Sequence, residues 1–233
     1  MKQIAAFLMI LALLPACAPP AQPTEVPGTD APSTQPAEGP GALDDMLIGR
    51  LSENLGLDMS EIAVKSEKEA EFKTTCFDIT LPDTSCAEGI TPGRIIILEA
   101  KGIEYEYRTN AAGDSIQPAT LALTWTREGG IAGFCDRLTV FLSGEVYASN
   151  CRSQPNEISG TFAGLLTDKE QNQFTALYLK FDETSLDVSD PLGVSDRMTN
   201  TLEFYGKGTG KPAKADQQAL FDWALELFQK LNA

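Results

Sequence analysis

The sequence predicts an α+β fold, in which two small antiparallel-sheet domains follow a disordered, proline-rich stalk. Three observations support this: helical spacing of apolar residues where the folded part begins, alternating apolar residues in several later segments, and short glycine-containing turns between those segments. Such turns join neighbouring antiparallel strands, whereas parallel strands need long crossover connections. We therefore expect α+β domains at residues 42–117 and 118–233.

The first 16 residues are predicted to be a signal peptide. Lys2 precedes an apolar run, Ile4 to Leu14, which has the length of a secretory hydrophobic region and is too short to span a bilayer. The run ends in Leu14-Pro15-Ala16-Cys17, which resembles a bacterial lipobox. The resemblance implies that Cys17 is lipidated, for example with palmitate, and anchors the chain to a membrane. The alternative is an ordinary signal peptide that happens to contain a cysteine.

Residues 17–41 are predicted to be a disordered linker. Seven of the fourteen prolines lie between Ala18 and Pro40, interleaved with Ala, Thr, Ser and Gln. A segment of this composition cannot bury apolar surface and stays extended. At about 3.1 Å per residue it could reach roughly 70 Å. A lipid anchor, a stalk and a folded part together predict an extracytoplasmic lipoprotein of the cell envelope.

The composition restricts the function. The chain contains no histidine, which removes Ser-His-Asp and Cys-His nucleophilic schemes and nearly every catalytic zinc site. Its formal charge of −15 argues against nucleic acid as a partner, because a phosphate backbone needs a basic surface. We expect no catalytic residues, no cofactor and no metal ion.

Four cysteines remain after Cys17, and in an exported protein they predict two disulfides. Four cysteines allow three pairings. Residues 135–151 have the pattern of a hairpin with a three-residue loop at 142–144, and Cys135 and Cys151 lie six residues outside its flanking pair, Phe141 and Glu145. This favours Cys135–Cys151 and leaves Cys76–Cys86. The alternative, a zinc site, lacks a CxxC pair.

The first domain is predicted to be a helix followed by about three strands. Four leucines at intervals of four (Leu43, Leu47, Leu51, Leu55) indicate the helix, and Gly56 is placed to end it. Strands are predicted from Glu61 to Phe72, at Ile95 to Leu98 and around Tyr105. A three-residue loop at 100–102 would avoid placing Glu99 opposite Glu104, so we expect that loop.

The second domain is predicted to begin with a strand from Leu121 to Thr126, followed by the cysteine hairpin. Thr167-Asp168-Lys169-Glu170 is a capping box that opens a helix. We expect a polar loop from Asp182 to Asn200, then a strand at 201–205 and a final helix that starts near Asp216.

Two resemblances to known families follow from these segments. The second domain is similar to emfourin, a small bacterial inhibitor of thermolysin-like metallopeptidases, in Gly129-Gly130-Ile131-Ala132-Gly133, in Leu165-Leu166-Thr167 and in Asp190-Pro191-Leu192-Gly193. The resemblance implies a secreted metallopeptidase as partner. The first domain resembles an uncharacterised bacterial lipoprotein domain, which implies no activity. The segments that carry this resemblance are Ile90-Thr91-Pro92-Gly93, Ile96-Ile97-Leu98-Glu99-Ala100 and Tyr105-Glu106-Tyr107-Arg108-Thr109-Asn110.

The candidate partner-binding loop consists of Gly129, Gly130, Ile131, Ala132, Gly133 and Phe134. A protease inhibitor needs a rigid loop rather than a catalytic group, and Ile131 and Phe134 would be the apolar anchors of this loop. The alternative is a tight glycine turn with both side chains in the core. The function would then be that of a structural or ligand-binding envelope lipoprotein without a protease target.

Three further features have ordinary structural interpretations. Five carboxylates between residues 182 and 196 could bind calcium, but we expect a solvated acidic loop; they are Asp182, Glu183, Asp187, Asp190 and Asp196. Trp125 and Trp223 could stack on sugars, but their positions are typical of core residues. Residues 206–211 lack the spacing of a phosphate-binding loop and predict a flexible basic turn.

Overall fold

The computed structural model describes residues 41–150 and 161–232. These residues form three helices and two antiparallel sheets, which confirms the predicted α+β class. The helices are α1 (Ala42–Leu55), α2 (Asp168–Lys180) and α3 (Lys214–Leu231), with a 3-10 turn at Met59–Glu61. The four-stranded sheet has the order β1 (Ile62–Thr74), β2 (Glu88–Ala100), β3 (Ile103–Asn110), β4 (Ile116–Pro118).

The second sheet has six strands and the order β8-β7-β6-β5-β10-β9. Its strands are β5 (Leu121–Gly129), β6 (Phe134–Phe141), β7 (Glu145–Asn150), β8 (Thr161–Leu165), β9 (Asp182–Asp187) and β10 (Met198–Lys207). Each pair of neighbouring strands in this sheet is antiparallel, as the short turns of the sequence predict.

Both sheets contribute to one hydrophobic core. Leu47 of α1, Leu98 and Tyr107 of the four-stranded sheet, and Trp125 and Phe204 of the six-stranded sheet belong to the same buried cluster. The described residues all fall in one compact unit. The predicted boundary between residues 117 and 118 lies inside β4, so it marks where one sheet gives way to the other rather than a linker.

Helix α1 has the predicted buried face and the predicted C-terminal end. Leu47 and Leu51 are fully buried, and Asp44 accepts a hydrogen bond from the Gly41 amide at 3.2 Å, which satisfies a free donor of the first turn. Gly56 closes the helix in the left-handed conformation, with φ +62°. The predicted capping box of α2 is also present: the Thr167 amide donates to the Glu170 carboxylate at 2.7 Å.

A buried polar cluster joins α1 to the six-stranded sheet. The Arg50 guanidinium lies 2.8 Å from the carboxylate of Glu145, which is almost fully buried at the start of β7. Ser143 donates to the same carboxylate. Burial raises the pKa of the neighbouring Tyr107 hydroxyl, and the negative charge of Glu145 adds to the shift. Tyr107 therefore stays neutral over the physiological range of pH.

The β6–β7 hairpin has the register that the sequence predicts. Val140 pairs with Val146 and Asp136 with Asn150, and the three-residue loop ends at Gly144 with φ +90°. The Gly144 amide donates to the Phe141 carbonyl at 3.0 Å. A short loop with a left-handed glycine sets hairpin register locally, and the sequence contained that information.

The three-residue loop predicted between β2 and β3 is wrong. Ala100 pairs with Ile103, the loop consists of Lys101 and Gly102 only, and Glu99 lies opposite Glu104. The like charges are tolerated because Lys65 of β1 lies 2.6 Å from the Glu99 carboxylate and 2.7 Å from the Glu104 carboxylate. Hydrogen bonds to Glu104 and Glu99 raise the pKa of Lys65.

The polar loop predicted from 182 to 200 is also partly wrong. Residues 182–187 form the edge strand β9, which pairs with β10, and β10 begins at Met198. An edge strand with one exposed face needs few apolar residues, and only Leu186 of β9 is buried. The loop itself is limited to residues 188–197.

Residues 206–211, predicted to be a flexible turn, pack closely against the end of α2. The Gly208 amide donates to the Phe181 carbonyl at 2.8 Å, and the Gly210 amide donates to the Lys180 carbonyl at 3.1 Å. A Cβ atom at Gly208 would lie 2.2 Å from the Lys180 carbonyl carbon. Glycine is therefore required here for close approach of two backbones.

We predict that Lys65→Met lowers the melting temperature, because Glu99 and Glu104 would then face each other without a bridging cation. Adding Glu104→Gln to this variant should restore much of the loss, since it removes the repulsion. Because the pKa of Lys65 is raised, the contribution of its charge is present at neutral pH and is lost only as the pH rises above the ordinary lysine range. Thermal unfolding followed by circular dichroism measures both variants, and equal melting temperatures of the single and double variants would contradict the explanation.

Candidate partner-binding site

The predicted loop forms the tip of the β5–β6 hairpin. Gly129 pairs with Phe134, and the four residues between them make the turn. Gly129, Gly130 and Gly133 all have positive φ, at +83°, +70° and +60°. The Gly133 amide donates to the Gly130 carbonyl at 2.9 Å, which closes the turn. The glycines are thus needed for the backbone path, and the hydrogen bond between Gly133 and Gly130 closes the turn that they allow.

Ile131 projects from this tip and is 92% exposed. Ala132 and Gly133 are exposed as well. The alternative in which Ile131 belongs to the core is therefore wrong. An isoleucine exposed to this extent on a fixed backbone costs solvation free energy in the free protein, which burial in a partner would recover.

Phe134 does not project with Ile131. It is half-buried, and the Arg127 guanidinium lies 4.0 Å from the centre of its ring. Arg127 is itself held by two hydrogen bonds to a single carboxylate oxygen of Asp136, from Nε at 2.9 Å and Nη2 at 2.5 Å, and Asp136 is buried. Phe134 thus supports the base of the tip, and Ile131 is the anchor that remains available.

A second loop, residues 188–197, lies beside the tip. The Gly130 amide donates to the Arg197 carbonyl at 3.1 Å, so the two loops are joined through their backbones. Asp190 orders the second loop: its carboxylate accepts from the Met198 amide, and its carbonyl accepts from Arg197 Nε, both at 2.8 Å. The structure therefore places two ordered loops at one end of the sheet.

The second loop carries further exposed apolar side chains that sequence reasoning missed. Leu192 is 86% exposed, and Val188 and Val194 are about half exposed. From the sequence, the acidic residues of this region were considered as a calcium site. In the structure, the residues of the second loop that are available to a partner are the aliphatic ones. The Asp-Pro-Leu-Gly segment contained Leu192, but only the structure shows that it lies in the loop beside the tip.

The five carboxylates of residues 182–196 are spread out. Asp182 and Asp187 lie at the two ends of β9, whereas the Asp190 carboxylate accepts a hydrogen bond from the Met198 amide. Hydrogen bonds from the side chain and amide of Ser189 lower the pKa of Asp187, and the positive charge of Arg197 lowers it further. Residues 41–150 and 161–232 contain no cluster of three or more side chains that could hold a metal ion. The geometry thus offers no support for calcium binding within these ranges.

The other predicted residues are placed as follows. Cys76 and Cys86 form a disulfide, with their Cα atoms 5.5 Å apart. Cys135 is disulfide-bonded, but Cys151 lies outside the described residues, so the pairing of these two remains a prediction. Cys17 and the signal peptide also lie outside the described residues.

Neither tryptophan forms an open sugar platform. Trp125 is buried, and its indole N–H donates to Asn200 at 2.8 Å. Trp223 stacks on Phe174 with their ring centres 5.0 Å apart.

Among the helices that the structure describes, none combines the length and the apolar character needed to cross a bilayer.

Comparison with known proteins adds one match. Residues 45–118 match a family described as a domain of unknown function, DUF8738. The matched range runs from the first turn of α1 to the end of β4 and does not include the tip or the second loop. No curated protein and no solved structure matches the chain.

We predict that Gly129→Ala destabilises the protein by about 2 to 3 kcal/mol, because alanine is strained at positive φ and its Cβ would lie 2.4 Å from the Arg197 carbonyl oxygen. Gly133→Ala is the matched control. It has positive φ but open space around the new Cβ, so it should cost only about 1 kcal/mol. Urea unfolding measures both values. Equal losses in the two variants would show that the contact between the two loops does not constrain the tip.

Proposed function

We propose that this chain is a non-catalytic lipoprotein of the bacterial cell envelope that binds and inhibits a secreted metallopeptidase through the tip formed by residues 129–134. The observation that carries the proposal is the exposure of Ile131 on a turn that hydrogen bonds of the Gly130 and Gly133 amides hold in place. The peptidase as partner comes from the resemblance to emfourin.

The geometry suits inhibition by binding. A loop that is already ordered loses little conformational entropy when a partner binds it. Here the ordering comes from the hydrogen bond between Gly130 and Arg197 and from the contact between Arg127 and Phe134. An exposed aliphatic anchor that enters an apolar pocket can supply much of the binding free energy of an interface.

A structural or ligand-binding role in the envelope is the second candidate function. It requires no peptidase and makes no use of the tip. The observation that favours a ligand-binding role is a cleft on the six-stranded sheet, described below. The residues that line this cleft are distinct from those of the tip. The two functions can therefore be tested separately on the same protein.

We predict that the full chain after Cys17 inhibits peptide hydrolysis by at least one thermolysin-type metallopeptidase, and that Ile131→Asp raises the inhibition constant at least about 25-fold. Such a change corresponds to loss of a central interface anchor, worth about 2 kcal/mol. Ile90→Asp is the control, because Ile90 is 75% exposed in β2, outside both loops.

Two results would refute the peptidase proposal. The first is unchanged hydrolysis across a panel of these enzymes at micromolar concentrations of the wild-type chain. The second is equal inhibition by wild type and Ile131→Asp, which would show that the inhibitory contact lies elsewhere. If the wild-type chain inhibits the enzyme and only Ile90→Asp weakens this inhibition, the inhibitory contact lies on β2.

The lipid anchor is tested on Cys17. We predict that Cys17→Ala moves the protein from the membrane fraction to the soluble fraction of bacteria that express it, because the lipid is the proposed membrane attachment. Cell fractionation with immunodetection measures this, and Cys76→Ala serves as a control cysteine variant. Membrane association of Cys17→Ala at the wild-type level would refute lipidation at this residue.

A further inference from the structure

A cleft of about 460 Å³ lies between the disulfide loop, residues 76–86, and one face of the six-stranded sheet. Successive side chains of a strand point to opposite faces. Trp125 and Leu138 point into the core, so Thr124, Thr126 and Thr139 point to the opposite face and line the cleft. No residue of the three described helices lines this cleft, and in it Thr124 and Thr126 are half-buried whereas Thr139 is almost fully buried.

The wall formed by the disulfide loop is fixed in place. Ile79 and Leu81 pack against Phe141 in a small apolar cluster of their own. Asp83 accepts hydrogen bonds from Arg137 of β6, at 3.2 Å, and from Ser149 of β7. With the disulfide at its base, the loop holds the cleft open without a ligand, and a preformed site binds with a smaller entropic cost.

The arginines that line the cleft are already paired. Arg108 lies 2.7 Å from the Glu106 carboxylate and donates to the Phe77 carbonyl at 2.8 Å. Arg137 lies between Asp83 and Glu128, at 3.2 and 2.9 Å. The protein as a whole carries a charge of −15. The site therefore provides no unbalanced positive charge, and an anionic ligand would gain little from it.

Unlike the arginines, several hydroxyl groups of the cleft have no hydrogen-bond partner among the described residues. Thr126 bonds to Thr201 at 2.7 Å, but the hydroxyls of Thr124, Thr139 and Tyr205 form no hydrogen bond with any of the residues that the structure describes. Thr124 and Thr139 are directly opposite on β5 and β6, which places their Cβ atoms about 5 Å apart. Each hydroxyl can both donate and accept.

We propose that this cleft binds a neutral, polyhydroxylated ligand, namely a short oligosaccharide. Sugar hydroxyls both donate and accept, as do Thr124, Thr139 and Tyr205. The C–H face of a sugar ring can pack on Leu121 and on the ring of Tyr205, which both line the cleft. The volume falls within the usual range of about 300 to 1,000 Å³ for small-molecule sites. This site shares no residue with the tip and does not depend on the peptidase proposal.

The test is titration of the isotope-labelled chain after Cys17 with maltotriose and, separately, with triacetylchitotriose, followed by amide NMR spectra. We expect at least one of them to saturate with a dissociation constant of about 1 mM or lower and to shift the amides of Thr124, Thr139 and Tyr205. The amides of Ile131 and Leu192 should not move, because they lie in the tip and the second loop.

Isosteric variants locate the contacts. Thr124→Val and Thr139→Val each remove one hydroxyl at nearly constant size, and each should weaken binding about threefold to tenfold, the value of one hydrogen bond. Thr199→Val is the control, because Thr199 lies on β10 outside the cleft lining and its variant should bind as wild type does. Unchanged amide positions away from the substitution establish that each variant is folded.

Three results would overturn the proposal. One is the absence of saturable shifts at the cleft with both sugars. Another is equal sugar affinity of wild type and both cleft variants, which would place the sugar elsewhere. The third is binding of glucuronate at the cleft while both neutral sugars fail, which would show that the site selects charge after all. Since none of these measurements involves a peptidase, they leave the inhibitor proposal to its own test.

Discussion

Burial of apolar side chains from both sheets in one core is the interaction on which the rest of the structure depends. Leu47, Leu98 and Tyr107 meet Trp125 and Phe204 in this cluster, so neither sheet completes its core alone. A six-stranded sheet with a polar face and a four-stranded sheet with a charged edge strand both need such a partner to bury enough area. The ion pair between Arg50 and Glu145 then sets the position of α1 at the junction, because a buried carboxylate without its partner would be costly.

The shared core explains why the two candidate sites can be rigid. The tip lies at the end of β5 and β6, whose inner residues Trp125 and Leu138 are buried, so packing in the core supports the strands that carry the loop. The cleft lies on the opposite face of the same two strands. One hairpin thus supports an apolar anchor at its end and a row of hydroxyls on its outer face, and each can act without the other.

The residues that match DUF8738 form the part of the fold that supports the six-stranded sheet. The matched residues 45–118 supply α1, the four-stranded sheet and the disulfide loop. Through Asp83 and Ile79 this region contacts the outer face of the six-stranded sheet, and through Leu47 it contributes to the core. It therefore supports the second half of the chain on two sides. Ligand binding in the cleft would involve both halves, whereas the tip belongs to the second half alone.

Much of the local structure could be predicted because its causes are close together in sequence. The end of α1 at Gly56, the capping box at Thr167 and the register of the β6–β7 hairpin each depend on residues within one or two turns of chain. The candidate loop at 129–134 was found for the same reason, since its glycines form one short motif.

The incorrect predictions concern features that are determined by residues far apart in the sequence. Glu99 faces Glu104 only because Lys65, on another strand, neutralises both, and sequence spacing within the hairpin does not contain that contact. The exposure of Ile131, the position of Leu192 beside the tip and the hydroxyl-lined cleft beneath the disulfide loop likewise depend on which strands pair and which faces the shared core covers. The sequence by itself therefore determined the helices, most of the strands and those turns whose causes lie within a few residues. The tertiary structure alone decided which surfaces remain open for a partner, because burial is a property of the packed whole.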